Sequence, residues 1–158
     1  YPGGPHIDAL AKQGDAKRFH FSKPHIAGLD YSFSGLKTSF LYTLRDGIHA
    51  APDFIEKNRA DLAASLQATI IDILLDKLDK AVRLTGVRTV AIGGGVSANS
   101  GVRAAVAEYC ARHGLKAFIP ERAFTTDNAA MVAMAGYFKF LDREFCDYDK
   151  VPFARVSV

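Results

Sequence analysis

Residues 89–99 constrain this chain more than any other stretch. Thr89-Val90-Ala91-Ile92 reads as a buried strand, Gly93-Gly94-Gly95 follows at once, and a helical pattern opens with Val96-Ser97-Ala98-Asn99. Strand, glycines and helix in that order bring bare backbone up to a phosphate. Without Cβ atoms the glycines accept positive φ and leave their N–H groups open to a close ligand. A tight strand-to-helix turn that binds nothing uses the same pattern, at the conformational entropy that three glycines cost.

The pattern around this stretch is that of an α/β domain. Tyr1 to Pro5 is rich in proline and glycine and reads as a loop, followed by a short helix from Ile7 to Gln13 that Gly14 ends. Lys17-Arg18-Phe19-His20-Phe21 and Tyr31-Ser32-Phe33 alternate and suggest half-exposed strands. Ser34 is placed to cap a helix reaching about Arg45, with Leu36, Phe40, Leu41 and Leu44 on one face and Asp46-Gly47 as its stop. Ile48 to Pro52 reads as a loop.

From Asn58 to Leu84, Leu62, Leu66, Ile70, Ile73, Leu74, Leu78 and Ala81 step by three and four, which predicts a long helix capped by Gly86. Asp76 with Lys80 and Asp79 with Arg83 are spaced as i,i+4 ion pairs on its wet side. After the glycines a helix should run from Asn99 to His113, burying Val102, Val106, Tyr109 and Cys110. A strand at Lys116 to Ile119 is closed by Pro120. Thr125-Thr126-Asp127-Asn128 then opens a last helix to Leu141, with Ala130, Ala133, Met134, Tyr137 and Phe138 facing a core, and a short extended piece is expected at 151–156. Strand, helix, strand, helix in succession predicts a parallel sheet.

Composition narrows the setting. With 158 residues, 49% of them apolar and 23% charged, the chain is an ordinary globular domain or part of one. No apolar run reaches membrane-span length and no signal-peptide pattern is read in residues 1–158, so no membrane partner is expected. Cys110 and Cys146 stand alone without a CxxC, which fits a reduced, cytoplasmic location. A net charge of +3 identifies no nucleic-acid partner by itself. Lys12, Lys17, Arg18, His20, Lys23 and His25 make the most basic region, interleaved with aromatics; the patch is short and reads first as a solvated strand face, with a nucleic-acid surface as the alternative.

Several residues can carry chemistry. Asn99 opens a helix, where its amide suits an N-cap and suits a ribose or base as well. Asp127 lies at the start of an apolar helix, where the macrodipole is sufficient reason for a carboxylate. The same position would hold a metal ion beside a bound phosphate. The five histidines show neither HxxxH nor HExxH spacing, and no GxSxG elbow is present. Gly93 to Ala98 satisfies the dinucleotide fingerprint GxGxxA, but Glu121 follows Pro120 and comes late for the ribose-binding acid.

Four stretches together resemble one family, the bacterial TsaD proteins, long labelled O-sialoglycoprotein endopeptidases or Gcp. They are YPGGP at Tyr1 to Pro5, DYSFSGLKTSF at Asp30 to Phe40, GGGVSAN at Gly93 to Asn99 and TDNAAM at Thr126 to Met131, in the family's order. The resemblance implies an actin/Hsp70/sugar-kinase-like (ribonuclease H-like) nucleotide-binding fold with two lobes around a cleft. It implies transfer of threonylcarbamoyl from threonylcarbamoyl-AMP to the N6 amine of the adenosine beside the anticodon of tRNA.

Carried over by position from the resemblance, Gly4, Asp8, Gly93, Gly94, Gly95 and Asn99 would meet the adenylate (or ATP or AMP), and Asp127 would be a ligand to one divalent metal ion, iron or zinc. The ion would act as Lewis acid and template. The family's other metal ligands are histidines of an HxxxH motif, absent from this sequence. Residues 1–158 are therefore expected to be the C-terminal lobe of a two-lobed protein whose N-terminal lobe is absent, and to transfer nothing alone. The family's partners, besides tRNA, are an inactive paralogue and a small ATPase. A zinc peptidase, as the old family name says, and a nucleotide-binding or interaction module without chemistry are the alternatives.

Overall fold

In the computed structural model, which describes residues 2–151, the apolar stripe becomes a helix of 32 residues, α3 (Phe54–Thr85). It begins one turn before the predicted Asn58 and ends where expected, at Gly86 with φ 67°. At 1.5 Å per residue it is roughly 48 Å long. The two predicted ion pairs form along it, Asp76–Lys80 at 2.7 Å and Asp79–Arg83 at 2.8 Å.

Two apolar clusters share this helix. Near its C-terminal end, Leu74, Leu78 and Val82 pack on Val90 of β1 (Thr89–Ala91) and on Val102, Val106, Tyr109 and Cys110 of α4 (Ser100–Arg112). Those four α4 residues are the ones the periodicity marks as buried. Nearer its N-terminal end, Leu62 and Ile73 pack with Phe21 and with Leu36 of α2 (Leu36–Ala50), under Phe40, Leu44 and Phe54. The predicted parallel sheet is present: β1 pairs with β2 (Lys116–Phe118), Val90 opposite Ala117, and α4 is the crossover.

Several expectations are corrected. Lys17–Phe21 and Tyr31–Phe33 are not strands; among the described residues the sheet has two strands. The alternation at 17–21 arises because Phe19 and Phe21 pack into the second cluster while Lys17, Arg18 and His20 face water. The backbone there is satisfied by side chains instead of a neighbouring strand, Phe19 N donating to Ser65 Oγ at 3.1 Å and Ser22 N to Ser39 Oγ at 3.2 Å.

Helix α1 (Gly3–Ala11) starts inside the predicted loop and stops short of Gln13. Pro5 is tolerated because the first-turn N–H groups have no intrahelical acceptor. Gly35, not Ser34, is the N-cap of α2. That helix runs through Asp46-Gly47 and much of the predicted 48–52 loop to Ala50. Gly47 serves packing, since a Cβ there would strike the Phe54 ring. Lys77 is 5% exposed, and its Nζ donates to the carbonyls of Ile26 and Gly28 at 2.8 Å each, tying that loop to α3.

The chain divides into two compact units between Thr125 and Thr126. The second contains α5 (Ala129–Leu141), capped by Asn128, whose Oδ1 accepts from Met131 N at 3.0 Å. The core-facing role predicted for Ala130, Ala133, Met134, Tyr137 and Phe138 is not realised, because α5 has no buried residue; Tyr137 is 55% exposed. Apolar periodicity identifies the helix but not what covers it. Apart from Val151, the extended piece expected at 151–156 lies outside the described residues. No helix of the described residues is long and apolar enough to cross a membrane.

Candidate nucleotide site

The turn after β1 is built on one glycine in particular. Gly94 has φ 79° and ψ 171°, a region that essentially only glycine enters. Gly93 and Gly95 do not have positive φ, and a Cβ on either would meet nothing within 4 Å. Gly95–Ala98 then forms a single 3-10 turn before α4 begins. Ser97, almost fully buried, closes it by donating from Oγ to the Gly94 carbonyl at 2.7 Å. The Arg103 guanidinium donates to the carbonyls of Ser97 at 3.1 Å and Pro120 at 2.7 Å, which ties the glycine turn to the chain leaving β2.

Asn99 does the work of an N-cap: its Oδ1 accepts from Val102 N at 3.0 Å. Its Nδ2 donates to Gln67 Oε1 on α3 at 2.7 Å. One N–H of the amide is left over for a ligand. Asp8, 92 residues earlier on α1, reaches the same helix end, its Oδ1 accepting from Ser100 Oγ at 2.7 Å and its Oδ2 from Ser100 N at 3.1 Å. A carboxylate at a helix N-terminus is well placed against the macrodipole.

Burial pushes the Asp8 carboxyl up, but the two Ser100 hydrogen bonds, the Lys12 charge and the Gln67 amide together outweigh it and hold Asp8 below its ordinary value. A carboxyl lowered on folding adds stability above its unfolded value and loses it as pH falls through the folded one. Below about pH 4, the urea midpoint of the unaltered chain should therefore drop more steeply than that of Asp8→Asn. Equal slopes would show that Asp8 is not stabilised as a carboxylate.

These elements enclose a cavity of about 640 Å³ lined by Gly4, Asp8 and Lys12 on one side and Gly95, Ala98, Asn99 and Arg122 on another. That volume suits a nucleotide-sized ligand. Four of the residues marked from the sequence, Gly4, Asp8, Gly95 and Asn99, thus meet at one place. Gly93 and Gly94 do not line the cavity; Gly94 acts through the turn it shapes. Lys12 and Arg122 are the cationic lining residues that sequence reasoning missed as site residues. Lys12 had its basic neighbourhood as a signal. Arg122, in a 3-10 turn after Pro120, had none.

Asp127 belongs to the second unit, exposed and immediately before the α5 cap. Among the described residues no group of three His, Cys, Asp or Glu side chains is gathered as a metal site. The carboxylate fits a divalent cation as one ligand and no more.

Comparison with known proteins bears on this geometry. The profile of the TsaD family, described as tRNA N6-adenosine threonylcarbamoyltransferase, matches residues 1–134. A relative from Porphyromonas gingivalis is 57% identical over 158 residues, covering 100% of this chain and 46% of the relative. One from Phocaeicola vulgatus is 57% identical, covering 100% of this chain and 47% of the relative, and one from Christiangramia forsetii is 53% identical over 148 residues, covering 94% and 44%. All three are named tRNA N6-adenosine threonylcarbamoyltransferase. The chain spans about half the length of the curated relatives it matches.

Proposed function

The chain belongs to the TsaD family, and on that footing we propose that it forms the adenylate-binding wall of a tRNA threonylcarbamoyltransferase. It would be the C-terminal, ribonuclease H-like lobe of that enzyme, acting in the cytoplasm. The donor is threonylcarbamoyl-AMP and the acceptor the N6 amine of a tRNA adenosine; a C–N bond forms to the carbamoyl carbon as its bond to the phosphate oxygen breaks, AMP leaving with the bonding pair and the amine releasing one proton to solvent.

The convergence of Gly4 and Asp8 with Gly95 and Asn99 on one cavity carries this reading. A carboxylate and a free amide N–H suit the hydroxyls and ring nitrogens of a nucleoside. The Lys12 and Arg122 side chains suit its phosphate. As the family resemblance implies, Asp127 would supply one ligand to an iron or zinc ion, which would serve as a Lewis acid when bound. With that single ligand, the chain alone would hold nucleotide without transferring threonylcarbamoyl. An inactive paralogue and a small ATPase would complete the assembly, as the family resemblance implies.

Calorimetric titration with AMP tests the proposal. Binding is expected, with Asp8→Ala weakening it about tenfold or more, the order of a lost hydrogen bond to a charged group. Asp8→Ala binding AMP as tightly as the unaltered chain would refute the assignment.

A further inference from the structure

Asn99 is backed by Gln67, which no motif singles out. It sits on α3, half-buried, and its Oε1 accepts a hydrogen bond from Asn99 Nδ2 at 2.7 Å. Its other end, Nε2, lies at the start of α4: a Cβ on Gly101 would come within 2.6 Å of it. That glycine therefore lets the helix settle onto the Gln67 amide. From there the amide also acts on the Asp8 carboxyl, which it helps hold in the ionised form.

An Asn side chain can turn over, exchanging oxygen for nitrogen. With its Oδ1 fixed by Val102 N and its Nδ2 fixed by Gln67, the Asn99 amide has one orientation. Removing Gln67 deletes the second of those restraints and the neutral donor beside Asp8, while leaving both residues on the cavity wall.

We propose that Gln67 is a positioning residue for the cavity, presenting the Asn99 amide and the Asp8 carboxylate to a ligand in a single arrangement. The inference rests on the adenylate reading of the cavity for its ligand, but its effect on Asp8 and Asn99 is measurable without one. Gln67 does not line the cavity, so it touches the ligand only through its neighbours.

The test uses Gln67→Leu and Gln67→Glu in the full chain, with AMP as probe and NMR of the Asp8 carboxyl carbon and the Asn99 side-chain amide. In folded Gln67→Leu, AMP affinity should fall about tenfold, the Asp8 titration should move up, and the Asn99 amide signals should shift. Unchanged AMP affinity in that variant overturns the proposal. Gln67→Glu keeps the acceptor for Asn99 but sets a carboxylate near Asp8, so its affinity relative to the unaltered chain should be lowest at neutral pH and recover as that carboxylate protonates toward about pH 5.

A ratio that stays constant over this range also overturns the proposal, and this arm serves if Gln67→Leu does not fold. If the unaltered chain binds no AMP while Asp8 and Asn99 still respond to Gln67→Leu, the positioning role stands and the adenylate reading falls. If neither responds, the positioning role falls.

Discussion

Gly14→Ala is expected to lower the unfolding free energy by about 3 kcal/mol or more, at the upper end of overpacking costs. A Cβ at Gly14 would overlap the carbonyl carbon and oxygen of Ala60 and lie 2.6 Å from the Asp61 nitrogen. These are backbone atoms inside α3, so no rotamer change relieves the clash. The chain around Gly14 is also pinned, by Asp15 N donating to Asp61 Oδ1 at 2.8 Å and Ser65 Oγ donating to the Asp15 carbonyl at 3.2 Å. Relief requires the turn after α1 to move off α3. Urea unfolding followed by circular dichroism reads the effect, with Gly3→Ala as control because a Cβ there meets nothing within 4 Å. A loss for Gly14→Ala no larger than for Gly3→Ala would contradict this packing.

The second large effect is at the glycine turn. Gly94→Ala forces an L side chain into φ 79°, ψ 171°, at a cost of about 2 kcal/mol. Space is not the difficulty, since nothing lies within 4 Å of the added Cβ. A turn that escapes the strain must move Gly95, Ala98 and Asn99, all of which line the cavity. AMP affinity should therefore fall by about tenfold or more, whereas Gly93→Ala, without positive φ, should leave binding within about threefold. The reverse order would mean that Gly94 is not the residue that shapes the wall.

Much of this was legible in the sequence where one periodicity met one cap. α3 and α4 follow from their three-and-four stepping, with Gly86 and Asn99 marking ends that the structure confirms. Local sequence is ambiguous where two physical causes leave the same trace. Phe19 and Phe21 alternate with charged residues as a strand would, yet a loop anchored by two aromatics gives the same pattern. Gly14 and Gly47 look like helix stops, yet both are glycine because another element lies against them. That information is tertiary and no window of local sequence carries it.

The candidate site was legible in part. Gly4, Asp8, Gly95 and Asn99 follow from the family resemblance, and long-range folding brings them to one cavity. The sequence alone left Asn99 balanced between cap and ligand. The structure shows the cap bond and an amide with one proton to spare. Gln67 could not be found from the sequence, because it takes part only after α3, α1 and the start of α4 have met.

On the adenylate reading, AMP seats between α1 and the glycine turn, which a nitrogen-15 NMR titration of the chain with AMP can follow residue by residue. Saturable shifts are expected, concentrated at the amides of Gly4, Asp8, Gly95, Asn99 and Ser100, with Arg122 responding only when the ligand carries its phosphate, as AMP against adenosine would show. Shifts confined to other surfaces, such as the groove lined by Lys23, His25 and Asp76, or no shifts at millimolar AMP, would contradict it.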